Sequence, residues 1–218
     1  MTARRGGFSP VSGPHVDLAR LYGARDLDEL RTEYERIASV YDHELAGPMD
    51  YRSPAAVATV CSRLLERDAT ILDVGAGTGL LGAALVENGF THVDGLDLSP
   101  AMLAEAARKS IYGTLTEARL GDSLPFGTGT YDAVVASGVL TTGHATASCL
   151  DELVRITRQG GSVVFTLRSD RPPPGFDEEI VAFMEAGRWV LVERGDEFQA
   201  MPTGEPGVLV RVWAFRVR

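Results

Sequence analysis

Cysteine occurs only at positions 61 and 149, far apart and in no metal-like spacing. That scarcity argues against a disulfide framework or a zinc centre and makes two buried thiols the expected reading. No uninterrupted apolar run approaches the roughly 18 residues that a membrane span requires. The opening stretch MTARRGGFSPVSGPH carries two arginines but no apolar segment behind them. Neither a signal peptide nor a span is therefore expected, and a cytoplasmic location fits. Lysine is absent apart from Lys109, so almost all positive charge is arginine, which reads as composition rather than as a site. Basic residues are outnumbered, 21 against 30 acidic, for a formal charge of −9. The resulting field repels phosphate backbones and anionic lipid surfaces, so no nucleic acid and no membrane partner is expected.

What remains is the composition of a folded domain. The chain has 218 residues, 44% hydrophobic and 23% charged, with a mean hydropathy of zero. One domain with a single sizeable core is the expected outcome at this length. Residues 1–25, rich in Gly, Ser and Pro at their start, read as a flexible tail. From Asp26, followed by Glu29 as in a capping box, Leu27, Leu30, Tyr34, Ile37, Tyr41 and Leu45 recur at steps of three and four. This periodicity predicts an amphipathic helix up to the Gly47-Pro48 break. Ser53-Pro54 opens a second helix, and the two form a helical lid over 26–66. From Thr70 strands and helices alternate through 168, the rhythm of βαβ units around a parallel sheet. A helix over 145–158 and a strand over 161–168 close that core. After the rigid Arg171–Gly175 break come a helix over 176–187 and strands over 188–195 and 207–217, joined by the MPTGEPG loop.

Ile71-Leu72-Asp73-Val74-Gly75-Ala76-Gly77-Thr78-Gly79-Leu80-Leu81 is an apolar strand that enters a glycine turn and leaves as an apolar helix. Glycine is required where φ is positive or where a ligand approaches main-chain atoms too closely to admit a Cβ. A dinucleotide fingerprint would place its third glycine at position 80, which is Leu80, and a phosphate-binding P-loop would need Lys-Ser or Lys-Thr where Ala83 and Ala84 stand.

The stretch resembles the first motif of the class I S-adenosylmethionine-dependent methyltransferases, an acidic residue followed by G-x-G-x-G. The likeness continues with the acid closing the second strand, Asp97 before Leu98-Ser99, and with Gly121-Asp122-Ser123-Leu124-Pro125-Phe126. It extends to Tyr131-Asp132-Ala133-Val134, which leads to Ser137, and to Gly160-Gly161. The run 136–145, Phe165–Arg168 and Arg211-Val212-Trp213 look most like the methyltransferase-like proteins of the Williams-Beuren-region group. The resemblance implies an α/β, Rossmann-like, seven-stranded and mostly parallel sheet with an antiparallel C-terminal strand. The cofactor-binding core would span 69–168, with a C-terminal helix and hairpin over 176–217. It implies S-adenosylmethionine as cofactor and S-adenosylhomocysteine as product.

For the site, the resemblance implies that Gly75, Ala76, Gly77 and Gly79 cradle the cofactor and that Asp97, next to Leu98, takes both ribose hydroxyls. A carboxylate suits a vicinal diol because its two oxygens accept two hydrogen bonds. Asp122 with Ser123 would receive the adenine amino group, although the spacing to Leu124 is one residue short. Ser137 would lie beside the methionine part. Asp73 either contacts the cofactor or braces the glycine turn. Tyr41 and Tyr51 flank the loop between the first two helices, where similar enzymes carry a lid; Tyr41 equally fits as filler of the apolar stripe. His144 follows the fourth strand and titrates near neutrality, which makes it the candidate general base or else a helix-start packing residue.

Methyl transfer from a sulfonium requires no metal, and His43-Glu44 fails the H-E-x-x-H pattern at Gly47. A Pro-Cys nucleophile and the D/N-P-P-Y signature are both missing after strand four. The expected reaction is methylation of an oxygen or nitrogen of a small-molecule acceptor by a monomer or homodimer. The alternatives are a nicotinamide-dependent oxidoreductase and a non-catalytic S-adenosylmethionine-binding protein.

Overall fold

The computed structural model describes residues 16–45, 47–141 and 145–218. In chain order the elements are helices α1 (Leu18–Gly23), α2 (Leu27–Leu45) and α3 (Ser53–Leu64), then strand β1 (Thr70–Val74), α4 (Leu80–Glu87), β2 (His92–Asp97), α5 (Pro100–Arg108), β3 (Leu115–Glu117) and β4 (Tyr131–Ala136). They are followed by α6 (Cys149–Ile156), β5 (Thr157–Arg168), α7 (Phe176–Glu185), β6 (Trp189–Arg194), β7 (Phe198–Met201) and β8 (Glu205–Val217). The sheet runs β3-β2-β1-β4-β5-β8-β6, with β7 paired to β8 off that path. Strands β1 to β5 are mutually parallel, and β8 is antiparallel to β5, β6 and β7.

Period-two alternation divides the strand residues between two helical layers. Ile71, Val135, Val164 and Ala214 pack with Val57 and Cys61 of α3 and Leu85 of α4. Their chain neighbours Leu72, Val134, Phe165 and Phe215 pack on the opposite face with Leu150 and Leu153 of α6 and Phe183 of α7. Both faces of the central strands are thus covered, which is why β4 and β5 read as near-continuous apolar runs rather than as alternating ones. Because neighbouring crossovers diverge on either side of β1, the sheet opens a crevice at the carboxyl ends of β1, β2 and β4.

The parallel sheet and antiparallel C-terminal strand match the sequence reading, but several details differ. The strand path has the seven expected members, and β7 is an eighth that the sequence did not reveal. Four residues are too few to show a period, and β7 exists because Phe198 and Gln199 pair with Val210 and Leu209 of the long strand β8. Strand β5 begins at Thr157, with a register shift opposite β4 and a positive φ at Gly160. An enlarged bulge accounts for this early start: β5 carries three extra residues between the Tyr131–Thr157 and Ala133–Ser162 pairs, so the strand pairs before the glycines as well as after them. The predicted helix before it is correspondingly shorter at both ends.

The tail expected over 1–25 is folded from Val16 onward, whereas 1–15 lie outside the described residues. Helix α1 is capped by Asp17, whose carboxylate accepts from the Ala19 amide at 3.0 Å. Its Leu21, like Val16, is buried with Leu30, Ile37 and Leu45 of α2 against Met201, Val208 and Val210. Asp26 caps α2 by accepting from the amides of Glu29 at 2.9 Å and Asp28 at 3.1 Å. The reciprocal half of a capping box does not form, because the Glu29 carboxylate takes the Arg25 amide instead.

Candidate functional site

The glycine turn leaves the end of β1 and is tied to β2 by its own backbone. The amides of Gly75 and Ala76 both donate to the Leu96 carbonyl, at 2.7 and 2.9 Å. Gly75 has a φ of +70°, and a Cβ there would fall 2.0 Å from a Val139 methyl. Glycine is therefore demanded twice at this point, once by conformation and once by space. Beneath the turn lies Asp73, 1% exposed. It accepts from the Tyr112 hydroxyl at 2.7 Å and from the Gly82 amide. Burial pushes its carboxyl up to about 7 and the nearby Asp97 charge adds to the rise, against the hydrogen bonds from Tyr112 and Gly82. Asp73 braces the turn from behind and does not line the cleft, so of its two expected roles the structure displays the bracing one.

Asp97 is brought beside the turn by the parallel register of β1 and β2. One carboxylate oxygen accepts from the Gly77 amide at 2.8 Å and the other from the Ser99 amide at 2.9 Å. Ser99 in turn caps α5 by accepting from the Met102 amide. Asp97 is 7% exposed. Burial raises its pKa, an effect moderated by the amides of Ser99, Gly77 and Leu98. A carboxylate offers about four lone-pair positions, so two backbone bonds leave acceptor capacity directed into the cleft. These are the acceptors that the two hydroxyl donors of a ribose diol require, and the residues present fit an adenosyl group.

The cleft itself has a volume of about 640 Å³ counting its open mouth. Gly75, Gly77, Asp97, Leu98, Ser137 and Tyr41, all anticipated from sequence, line it. Ala76 and Tyr51 line a smaller hollow that abuts it along Tyr41, Gly75, Gly77 and Ser137. Gly79 is set back, at the N-terminal cap of α4 with φ +92°.

Asp122 and Ser123 are exposed rather than in the cleft. Asp122 lines an outer hollow that shares Leu27, Arg119 and Leu120 with the cleft, and the cleft wall on that side is formed by Ala118, Arg119 and Leu120. The physical reason is that β3 ends at Glu117, after which a one-residue bridge between Leu120 and Asp122 and a φ of +102° at Gly121 turn the chain outward. His144 lies outside the described residues.

Sequence reasoning also missed partners on α2. Tyr34 lines the cleft and meets Tyr41 edge to face, with ring centroids 6.2 Å apart. Tyr34, unlike Tyr41, was visible only as a member of the helix's apolar stripe, and a stripe does not say which of its residues faces a ligand. Asp42, one residue further on, accepts from the Thr78 hydroxyl of the glycine turn and pairs with Lys109 at 2.6 Å. The chain's single lysine thus helps to fasten α2 over the turn.

A second hollow of about 600 Å³ adjoins the cleft, with Tyr34, Tyr41 and Gly138 common to both. Its walls come from α1, α2, β7 and β8. The Tyr51 hydroxyl stands over Gly138, where a Cβ would fall 2.2 Å from it. Among the described residues no group of three or more His, Cys, Asp or Glu is placed to hold a metal, and no helix is long and apolar enough to cross a membrane.

A family model described as a methyltransferase domain matches residues 71–161. Methyltransferase-like protein 27 of Homo sapiens is 34% identical over 197 residues, covering 87% of this chain and 79% of that protein. The demethylmenaquinone methyltransferase of Clavibacter sepedonicus is 34% identical over 152 residues, covering 67% and 58%. The 18S rRNA (guanine-N(7))-methyltransferase of Bos taurus is 39% identical over only 71 residues, covering 33% and 25%. The crystal structure of the cyclase SpnF superimposes with a TM-score of 0.69 at 14% identity, covering 89% of this chain and 97% of that one. That last likeness concerns the fold alone.

Proposed function

Because the chain belongs to the class I S-adenosylmethionine-dependent methyltransferases, we propose that it methylates an oxygen or nitrogen of a small-molecule acceptor. The observation that carries this reading is the junction of two hollows at Tyr34, Tyr41 and Gly138, one beside Asp97 and the other enclosed by α1, α2 and the β7–β8 hairpin. S-adenosylmethionine, when bound, supplies a methyl group on a sulfonium that already contains its leaving group. Asp97 would hold the ribose hydroxyls, the main chain at Gly75–Gly77 would approach the amino-acid part, and Leu98, Met102 and Leu120 would pack the base. Tyr41 and Tyr51 would exclude water from the junction.

The acceptor's lone pair would take that methyl group as the sulfonium leaves as a neutral thioether, and the acceptor's proton would pass to a base or to water. Positioning in a dry site supplies most of the rate for such a displacement. His144, three residues beyond Thr141 of the second hollow, is proposed as that base. A net charge of −9 disfavours nucleic acid as the acceptor, and the likeness to the rRNA enzyme is confined to about a third of the chain. S-adenosylmethionine and its demethylated product should bind in calorimetry, whereas NAD should not; binding of NAD alone would overturn the reading. His144→Ala should lower turnover at least about tenfold while cofactor affinity stays within about twofold. Equal turnover across pH removes the base role.

A further inference from the structure

We infer that the acceptor is an uncharged, predominantly apolar molecule seated in the hollow between α1, α2 and the β7–β8 hairpin, an assignment that rests on the methyltransferase reading above. The hollow's far walls are Leu18, Leu21, Leu45, Met201, Val208 and Val210. Most of these are buried in one cluster that joins α1 and α2 to the hairpin. Its hydroxyl groups include those of Tyr51, Ser53 and Thr141, and the Tyr51 hydroxyl stands against Gly138, which the hollow shares with the cofactor cleft. An acceptor with an apolar body and one hydroxyl or amine satisfies both ends: the body fills the far walls, and the reacting atom is held by hydroxyl groups at the mouth of the cofactor cleft.

Charge decides against the anionic alternative. Among the described residues lining the hollow, Arg168 is the one with a permanent charge. Its guanidinium is already gripped by Asp170 through two contacts, one of them 3.1 Å from Nε to Oδ1. Asp170 is itself held by the Leu209 amide at 3.1 Å. An anionic acceptor would have to break this pair or enter uncompensated, and a buried charge without a partner is costly. The overall charge of −9 opposes it further. Arg168 with Asp170 therefore forms a neutral floor rather than an anion receptor.

The test compares uncharged probes with a charged one on the same ring. The full chain, saturated with S-adenosylhomocysteine, is titrated in a calorimeter with 2-naphthol, 4-phenylphenol, indole and 2-naphthyl phosphate. Parallel reactions with S-adenosylmethionine are read by mass spectrometry for the methylated product. At least one uncharged probe should bind, and 2-naphthyl phosphate should bind at least about tenfold more weakly than 2-naphthol. Met201→Glu should weaken the uncharged probes at least about tenfold with cofactor affinity within about twofold, whereas the volume-conserving Met201→Leu should retain them. Tighter binding of the phosphate, or no uncharged probe bound by a protein that does bind the cofactor, overturns the acceptor assignment and leaves the methyltransferase reading in place. Failure to bind S-adenosylmethionine at all overturns that reading instead.

Discussion

The cleft beside Asp97 and the hollow beside α1 share Tyr34, Tyr41 and Gly138, yet they are built from different material. The first is bounded at its base by main chain at Gly75–Gly77 and by a carboxylate that two backbone amides orient, both within one β1–β2 unit, with Tyr34 and Tyr41 of α2, Ala118–Leu120 and Ser137–Val139 completing its walls. The second is bounded by aliphatic side chains from α1, α2, β7 and β8, the outermost of them about 190 residues apart in sequence. A site made of backbone permits almost no substitution: an added methyl at Gly75 meets Val139, and Gly77 holds a positive φ that a side chain disfavours. A site made of apolar side chains tolerates exchange so long as volume is kept. One half of the proposed reaction is thus constrained by geometry, and the other is open to change in specificity.

The largest expected effect lies on the backbone side. Gly75→Ala combines a positive φ with a collision against Val139. It should cost about 2–4 kcal/mol and weaken S-adenosylmethionine by more than about 30-fold. Titration of the variant, folded by circular dichroism, checks this; affinity within threefold of the parent would erase the contrast between the two hollows. Next in size, Asp97→Asn keeps the shape but removes the charge, and should weaken the cofactor by about 1.5–3 kcal/mol. Uncharged acceptor probes should bind this variant almost as they bind the parent, which would sharpen the comparison; equal loss on both sides would blunt it.

A smaller effect concerns the support behind the turn. Burial holds Asp73 near 7, well above the ordinary carboxylate value of about 4, so between those values the folded protein binds the proton that the unfolded chain has released. The associated stability is complete below about pH 4 and is lost as pH rises through 7. Asp73→Asn, which still accepts from Tyr112, should flatten that part of the Tm-against-pH curve by a few degrees. An unchanged slope would mean that the carboxyl is ionised throughout.

Legibility followed the same division. The glycine spacing and Asp97 could be read directly, because a tight turn and a strand-end acid are local consequences of residue type. The alternation of β1 to β5 with helices was equally plain. Asp122 could be read from its motif, but its exposed place outside the cleft follows from the early end of β3, a matter of backbone path. Tyr34 was legible as part of an apolar stripe but not as a cleft wall, whereas Tyr41 was read both ways. Strand β7 and helix α1 carried too few residues to show a period at all, and each is stabilised by partners distant in the chain.

Residue type and local spacing therefore determined the doubly wound sheet, the turn after β1 and the acid after β2. These depend on interactions that close within a few residues or within one βαβ unit. Only the folded chain decided that α1 belongs to the body of the protein, that Arg168 is neutralised by Asp170, and that an apolar hollow meets the cleft at Gly138. Those features arise where segments remote in sequence pack together, and side-chain burial between them has no counterpart in the linear order of residues.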